Sequence, residues 1–161
     1  VPCTPAGVLE LIRSAGVETR GARAVVLGRS NLVGRPLVNL LSRKSYNATV
    51  TACHTGTRDL PAICREADIL IACAGRPGLV RGDWIKAGAC VIDVGVTRVE
   101  DPGAKAGFRL KGDVDFEAAA AVAGWITPVP GGVGPMTITM LLDNATAAAE
   151  RASGILPGSG A

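Results

Sequence analysis

Short apolar runs alternate along the chain with longer segments in which apolar residues recur at helical spacing. The short runs predict five β-strands, over residues 24–28, 49–53, 68–73, 89–94 and 125–127. The other segments predict helices over residues 5–15, 33–44, 59–67 and 135–152 and, rich in alanine, from residue 115 onward. Strands that alternate with helices predict an α/β fold, a doubly wound parallel sheet of the Rossmann-like kind.

Capping and turn residues predict where the helices begin and how the strands are connected. Thr4 followed by Pro5 is typical of an N-cap and a proline at the first helical position. Residues 97–108 are charged and glycine-rich, so they are predicted as a surface loop, followed by a short extended piece over residues 110–114. No internal repeat or domain boundary interrupts this order, and we expect one domain.

Composition and charge narrow the class of protein. A chain of 161 residues can bury a core as one domain, and 48% hydrophobic with 19% charged residues is typical of a globular chain. No apolar run approaches the roughly 18 residues of a membrane span. The net charge is only +3 and the arginines are scattered. We therefore expect neither a membrane nor a nucleic acid as partner.

The cysteines predict a reducing compartment, the cytoplasm or, in a eukaryote, the mitochondrion. Their number is odd and no two form a C-x-x-C pair: Cys3, Cys53, Cys64, Cys73 and Cys90. Small buried hydrophobes are the simplest interpretation. With one histidine in the chain, no metal site is expected. The chain also begins at Val1 without a secretory leader, and we expect it to be a piece of something longer.

The turn after the first predicted strand, "LGRSNLVGRP", resembles the opening of a dinucleotide-binding site. Gly28 provides a tight exit from the strand, and Gly34 allows the next helix to pack closely. Arg29 adds a cation, and Ser30 stands where a second glycine is usual and adds a hydroxyl. A phosphate at the N-terminus of that helix is one interpretation. An ordinary strand-to-helix turn is the other.

The end of the second predicted strand favours NADP over NAD, with NAD still possible. An NAD site usually carries Asp or Glu there for the ribose 2′-hydroxyl, whereas the first acid here is Asp59. His54, Thr55 and Arg58 precede it, and Arg29 is expected nearby. Such donors and cations suit a 2′-phosphate. For His54 alone, a partly buried histidine that caps the strand end is the alternative.

Glycine-rich loops follow the later strands, at residues 74–77, 95–97 and 130–137. Ligands of open α/β sheets bind outside these strand ends, although glycine and proline also serve ordinary turns. Asp93, Asp113 and Asp115 also lie near strand ends, and turn and cap roles suit them best. The chain has no Tyr-x-x-x-Lys pair and no pairing of a nucleophile with a base. The residues thus predict cofactor binding without an acid–base apparatus.

Six segments together resemble one enzyme family in order and spacing: "PCTPAGVLELI", "VVLGRSNLVGRPL", "ATVTACHTGT", "VIDVGV", "KGDVDF" and "ITPVPGGVGPMT". The family is that of the bifunctional methylenetetrahydrofolate dehydrogenase/methenyltetrahydrofolate cyclohydrolases. The resemblance covers about residues 2–150. It implies oxidation of 5,10-methylene-tetrahydrofolate with NADP+, then hydrolysis of the methenyl product to 10-formyl-tetrahydrofolate, in one-carbon metabolism and purine biosynthesis.

The resemblance also implies that this chain is the carboxyl-terminal, NAD(P)-binding half of such an enzyme. It predicts a cofactor domain over residues 1–152 with a lead-in helix, and a flexible tail over residues 153–161. The catalytic Tyr and Lys would belong to an amino-terminal domain that shares the folate, so no catalytic residue is expected here and the chain alone would be inactive. The complete protein would be a homodimer. A non-catalytic dinucleotide-binding module, a regulatory remnant and a general phosphate-ligand binder are the alternatives.

Transferred position by position, the resemblance implies roles for twelve residues. The residues expected at the pyrophosphate and ribose phosphate are Gly28, Arg29 and Ser30. Those expected to flank the adenosine ribose are His54 and Thr55. Those expected to line the nicotinamide side are Ala74, Gly75, Val94, Val96 and Thr137. Pro130 and Gly131 would border the folate.

Overall fold

A computed structural model describes residues 1–155 of the chain, which form two sheets flanked by helices. The strands are β1 (Arg23–Leu27), β2 (Thr49–Cys53), β3 (Ile69–Ala72), β4 (Cys90–Asp93), β5 (Thr97–Glu100), β6 (Phe108–Lys111) and β7 (Trp125–Ile126). The helices are α1 (Cys3–Ser14), α2 (Gly34–Leu41), α3 (Leu60–Arg65), α4 (Phe116–Ala120) and α5 (Val133–Ala152), with a 3-10 turn at Gly82–Trp84.

The main sheet is parallel, in the order β2-β1-β3-β4-β7, with helices on both faces. Alternate strand residues enter two separate cores. Val25 packs with residues of α3 and α4 on one face, whereas Val26 packs with residues of α1 and α2 on the other. Every residue of β3 is buried, as its continuous apolar run predicts. The predicted doubly wound α/β fold is therefore confirmed.

The order of the strands changes direction between β1 and β3. The chain leaves β1 toward β2 on one side and later returns to β3 on the other. At this point Gly28 has φ +145°, and a Cβ there would lie 2.6 Å from the Cys73 Sγ. Only glycine fits this close approach, which leaves a crevice outside the carboxyl ends of the two strands.

The prediction of a surface loop over residues 97–108 is wrong at both ends, because residues 97–100 form β5 and residue 108 begins β6, which pair as an antiparallel hairpin. Thr97 pairs with Lys111 and Glu100 pairs with Phe108. Each strand has only four residues, of which the alternate ones are charged and exposed. Across the hairpin the Arg98 guanidinium lies 4.7 Å from the centre of the Phe108 ring. The extended piece predicted over residues 110–114 lies within the strand only at its first two residues.

The predicted start of α1 is also wrong. The helix begins at Cys3 with Pro2 as N-cap, so Thr4 lies inside its first turn. The Thr4 hydroxyl makes a contact of 3.1 Å with the Thr137 Oγ1 instead of capping, and so joins α1 to α5. At the other end of the chain, α5 ends at Ala152, and the predicted tail lies outside the described residues from position 156 onward.

Cys53, Cys64 and Cys90 are buried, as small hydrophobes would be, whereas Cys73 is half-buried. All five cysteines are free thiols. Burial raises the pKa of Cys64 and Cys90 to about 11, so these thiols stay protonated at neutral pH. In the described part of the chain, no helix is long and apolar enough to cross a membrane.

Candidate cofactor site

The turn between β1 and α2 is built around the Ser30 side chain. Its Oγ accepts hydrogen bonds from the amides of Val33 and Gly34, at 3.1 and 3.3 Å. It thus caps the start of α2 while its own hydroxyl hydrogen remains available for an acceptor. A Cβ at Gly34 would overlap the backbone of Gly28, so β1 and α2 meet backbone to backbone. The geometry of the turn therefore explains why glycine stands at positions 28 and 34 and serine at position 30.

A cavity of about 320 Å³ opens at this turn. It is lined by Gly28, Arg29, Gly34, Arg35, Val38, Asn39 and Ala52. Arg35 is a feature that sequence reasoning missed. Its guanidinium is exposed in the first turn of α2, where the helix dipole disfavours a cation unless an anion is also present. That unfavourable position is the signal that could have identified it. Together with Arg29 it makes the mouth of the cavity cationic.

The strand-end segment after β2 is a tight turn around His54. The His54 amide donates to the Thr57 Oγ1 at 3.0 Å, and the Gly56 amide donates to the His54 Nδ1 at 3.1 Å. His54 therefore does cap the strand end, and its Nε2 carries the proton when the ring is neutral. The Thr55 side chain is exposed and, unlike that of Thr57, takes no part in the hydrogen bonds of this turn. Of the two threonines, Thr55 is the one left for a ligand.

No carboxylate of this segment is available to a ribose. Asp59, the first acid after β2, is the N-cap of α3 and accepts from the Ala62 amide at 3.4 Å. Its backbone is left-handed, with φ +51°. Arg58 beside it is exposed. The expected hydrogen-bond donors and cations after β2 are therefore not opposed by a free carboxylate of the same segment.

Two buried aspartates hold the loops that follow β3 and β4. Asp113 Oδ2 accepts from the amides of Ala74 and Gly75, at 2.6 and 2.8 Å. Asp93 accepts from Gly95 and Asp113 through Oδ1, and from Val114 through Oδ2, each at 2.9 Å. The turn roles predicted for both aspartates are confirmed. Asp115 precedes α4 without a side-chain capping bond.

Burial determines the electrostatics of this pair. It raises the pKa of Asp93 to about 6, against the opposing effect of three amide donors. Burial also raises the pKa of Asp113. The Asp113 Oδ1 is buried and has no hydrogen-bond partner within the described residues. A carboxylate with one unsatisfied oxygen is costly to bury, so its position requires a compensating role.

The loop between β7 and α5 closes the other end of the crevice. A cavity of about 410 Å³ is lined there by Asp93, Val96, Leu110, Ile138 and residues 128–135. Val96, Pro130 and Gly131, predicted for the nicotinamide and folate sides, thus meet in one place. Gly131 has φ +101° and open space around its Cα. A second cavity of about 540 Å³ adjoins it under the hairpin.

Of the five residues expected on the nicotinamide side, Val96 lines this cavity and the other four do not. The Thr137 Oγ1 donates to the Val133 carbonyl at 3.2 Å and contacts Thr4, so its hydroxyl is used between helices. Val94 is half-buried and packs against the core formed with α1 and α2. Ala74 and Gly75 follow the end of β3, outside this lining, and Gly75 is exposed with φ +68°.

Comparison with known families identifies the family of this chain. The model of the tetrahydrofolate dehydrogenase/cyclohydrolase, NAD(P)-binding domain, matches residues 2–153. The chain belongs to this family. The fit is also visible in the molecule: glycines at Gly28 and Gly75 bring backbone to the crevice, and two arginines lie at its mouth. Within residues 1–155, no three His, Cys, Asp or Glu side chains group so as to hold a metal ion.

Relatives in this family are similar along nearly the whole chain. The bifunctional protein FolD of Desulfosudis oleivorans is 61% identical over 150 residues, covering 89% of this chain and 50% of that protein. FolD of Chlorobium limicola is 53% identical, covering 96% of this chain and 53% of that protein. The chain therefore spans about half the length of the curated relatives it matches.

Solved structures agree with these relatives. FolD of Trypanosoma brucei, complexed with NADP cofactor and inhibitor, is 52% identical with a TM-score of 0.91, covering 95% of this chain and 52% of that one. The NAD-dependent 5,10-methylenetetrahydrofolate dehydrogenase of Saccharomyces cerevisiae has a TM-score of 0.71 at 21% identity, covering 95% of this chain and 53% of that one. The second similarity shows the fold alone.

Proposed function

We propose that the crevice binds NADP+ and that the complete protein oxidises 5,10-methylene-tetrahydrofolate and then hydrolyses the methenyl product to 10-formyl-tetrahydrofolate. The observation that carries the cofactor preference is the cationic turn of Arg29 and Arg35, facing a strand end whose first acid, Asp59, already caps a helix. The family and the names of its relatives support the reaction.

We infer a placement for each half of the cofactor. The pyrophosphate lies against Gly28 and Ser30, and the 2′-phosphate lies among Arg29, Thr55 and His54. The adenosine half then occupies the side of β1 and β2. The nicotinamide half extends over the loops after β3 and β4, where it is lined by Ala74, Gly75, Val94, Val96 and Thr137. Of these, Gly75 and Val96 are exposed at the crevice, which supports their assignment most directly.

In this proposal the nicotinamide supplies the hydride acceptor, and the residues of this chain orient it. Pro130 and Gly131 border the folate, whose remaining contacts come from an amino-terminal domain. Proton transfer for the hydrolysis also belongs to that domain, because no base and nucleophile are paired in the described part of this chain. A homodimer in the cytoplasm or mitochondrion, within one-carbon metabolism and purine biosynthesis, completes the proposal.

Calorimetric titration of the chain with NADP+ and with NAD+ tests the cofactor preference. NADP+ is expected to bind more tightly, and Arg29→Ala is expected to remove that advantage. A charge-assisted contact to phosphate contributes roughly 1.5–3 kcal/mol, or about 10- to 100-fold in affinity. Arg20→Ala is the matched control, since Arg20 is also exposed but precedes β1, at the amino ends of the strands and away from the crevice. Equal or tighter binding of NAD+ would overturn the preference.

A further inference from the structure

The buried aspartates connect three loops that the proposed binding site shares. One Asp113 oxygen accepts both amides of the Ala74–Gly75 loop, while its backbone amide donates to Asp93. Asp93 also accepts from Gly95, next to the exposed Val96. The unit thus links the ends of β3 and β4 to the hairpin. Neither carboxylate has a part in the proposed binding or hydride transfer.

Two glycines make room for this arrangement. A Cβ at Gly95 would overlap the Asp113 carboxylate, and a Cβ at Gly112 would overlap the Asp93 carboxylate. Neither glycine has the positive φ that would by itself require the residue. Both are therefore explained by the space that the carboxylates occupy rather than by backbone conformation.

The loop that Asp113 holds has two sides. Its amides point to the carboxylate, while Gly75 is exposed on the crevice with nothing within 4 Å of a Cβ built there. Water can satisfy the amides of a half-exposed loop without a buried charge. A buried acceptor at a fixed place adds geometry, because it selects one conformation of an otherwise flexible glycine backbone.

We propose that Asp113 is a positioning residue for the nicotinamide half of the cofactor: it fixes the Ala74–Gly75 backbone, and Asp93 fixes Asp113. The inference rests on the proposed function, since it needs the cofactor to extend across the end of β3. Dependence on Asp113 divides the crevice into two parts. The adenosine side is formed by β1 and β2 and does not depend on Asp113, whereas the nicotinamide side does.

Titration of the chain with NADP+ and with 2′,5′-ADP separates these parts, because 2′,5′-ADP reaches only the adenosine side. Asp113→Ala is expected to weaken NADP+ by about tenfold or more and to change 2′,5′-ADP by less than about twofold. Asp113→Asn keeps an acceptor oxygen, and its NH2 takes the place of the unpartnered Oδ1. It is expected to retain NADP+ affinity within about threefold.

Asp101→Ala is the matched control, since Asp101 accepts a loop amide at the hairpin tip, from Gly103 at 3.1 Å. It should leave both affinities unchanged. Thermal unfolding of each variant checks the fold, and Asp113→Ser replaces Asp113→Ala if the latter is unfolded at the titration temperature. NADP+ binding that is unchanged, or that falls in parallel with 2′,5′-ADP, would overturn the positioning role. Failure of the unaltered chain to bind 2′,5′-ADP would instead overturn the proposed function.

Discussion

Raising the pH from about 4 to about 6 is expected to destabilise this fold through Asp93. Burial raises its pKa from 3.8 to about 6 in the folded chain. Between these values the folded state retains a proton that the unfolded state has released. The free energy of unfolding therefore falls as the pH rises through this window and is level above it.

The magnitude follows from the size of the shift. A raise from 3.8 to about 6 is roughly two pH units, and at 1.36 kcal/mol per unit this corresponds to about 3 kcal/mol. Other groups change the total slope. Burial raises the pKa of Asp113 and adds a change of the same sign. Asp68, whose pKa is lowered by its hydrogen bond with Lys86, contributes the opposite sign, but at pH values below its usual pKa of 3.8 and so below this window.

Urea denaturation of the unaltered chain and of Asp93→Asn, at a series of pH values, isolates the effect of Asp93. The Asn side chain does not titrate, and its NH2 faces a backbone amide at every pH, so the substitution removes the pH dependence that belongs to Asp93. The diagnostic quantity is the free energy of unfolding of the unaltered chain minus that of Asp93→Asn. This difference should fall by about 3 kcal/mol as the pH rises from about 4 to about 6. A difference that stays constant with pH would refute the reasoning, and a rising difference would mean that the amides outweigh burial.

Three further predictions concern glycines and turnover. Gly34→Ala should lower the free energy of unfolding by about 1–3 kcal/mol, because its methyl group overlaps the Gly28 backbone. Gly134→Ala, at an open helical position, is the control and should not lower it. Equal urea midpoints for Gly34→Ala and the unaltered chain would contradict this. Gly131→Val in a full-length relative should impair methenyl-tetrahydrofolate formation, followed by absorbance, while cofactor affinity is largely spared, because a branched side chain at φ +101° intrudes on the folate side. Unchanged turnover would remove that loop from the folate site. Residues 1–161 alone should show neither dehydrogenase nor cyclohydrolase activity, and robust turnover would mean that catalytic groups lie within this chain.

The parallel sheet can be predicted because its central strands β1, β3 and β4 are short, apolar and buried. Residues 69–72 and 90–93 are all buried, and so are residues 24–27 of β1. The hairpin was missed because each of its strands alternates two inward residues with two exposed charged ones. Four residues are too few for that period to be distinguished from a charged loop. The start of α1 was missed because Thr4 uses its hydroxyl against α5, which is distant in sequence.

The candidate site could be predicted where its chemistry is local. Gly28 and Ser30 lie within one turn, so their spacing indicates a close strand-to-helix turn, and the family resemblance adds the pyrophosphate. The aspartates could be assigned only turn roles, since Asp93 and Asp113 are 20 residues apart and their mutual burial depends on the hairpin between them. The contact between the Thr137 and Thr4 hydroxyls likewise depends on how α1 packs on α5.

The cap on α3 limits how the cofactor preference of this protein can be redesigned. Asp59 directly follows Arg58 and lies five residues after His54, so it is an obvious candidate for redirection to a ribose hydroxyl. Redirecting it would remove the N-cap of a six-residue helix, at a cost of typically about 1 kcal/mol. A new carboxylate at Thr55, which has no structural bond to lose, leaves that helix intact. The route to an NAD-preferring variant therefore starts from an exposed threonine and not from the acid already present.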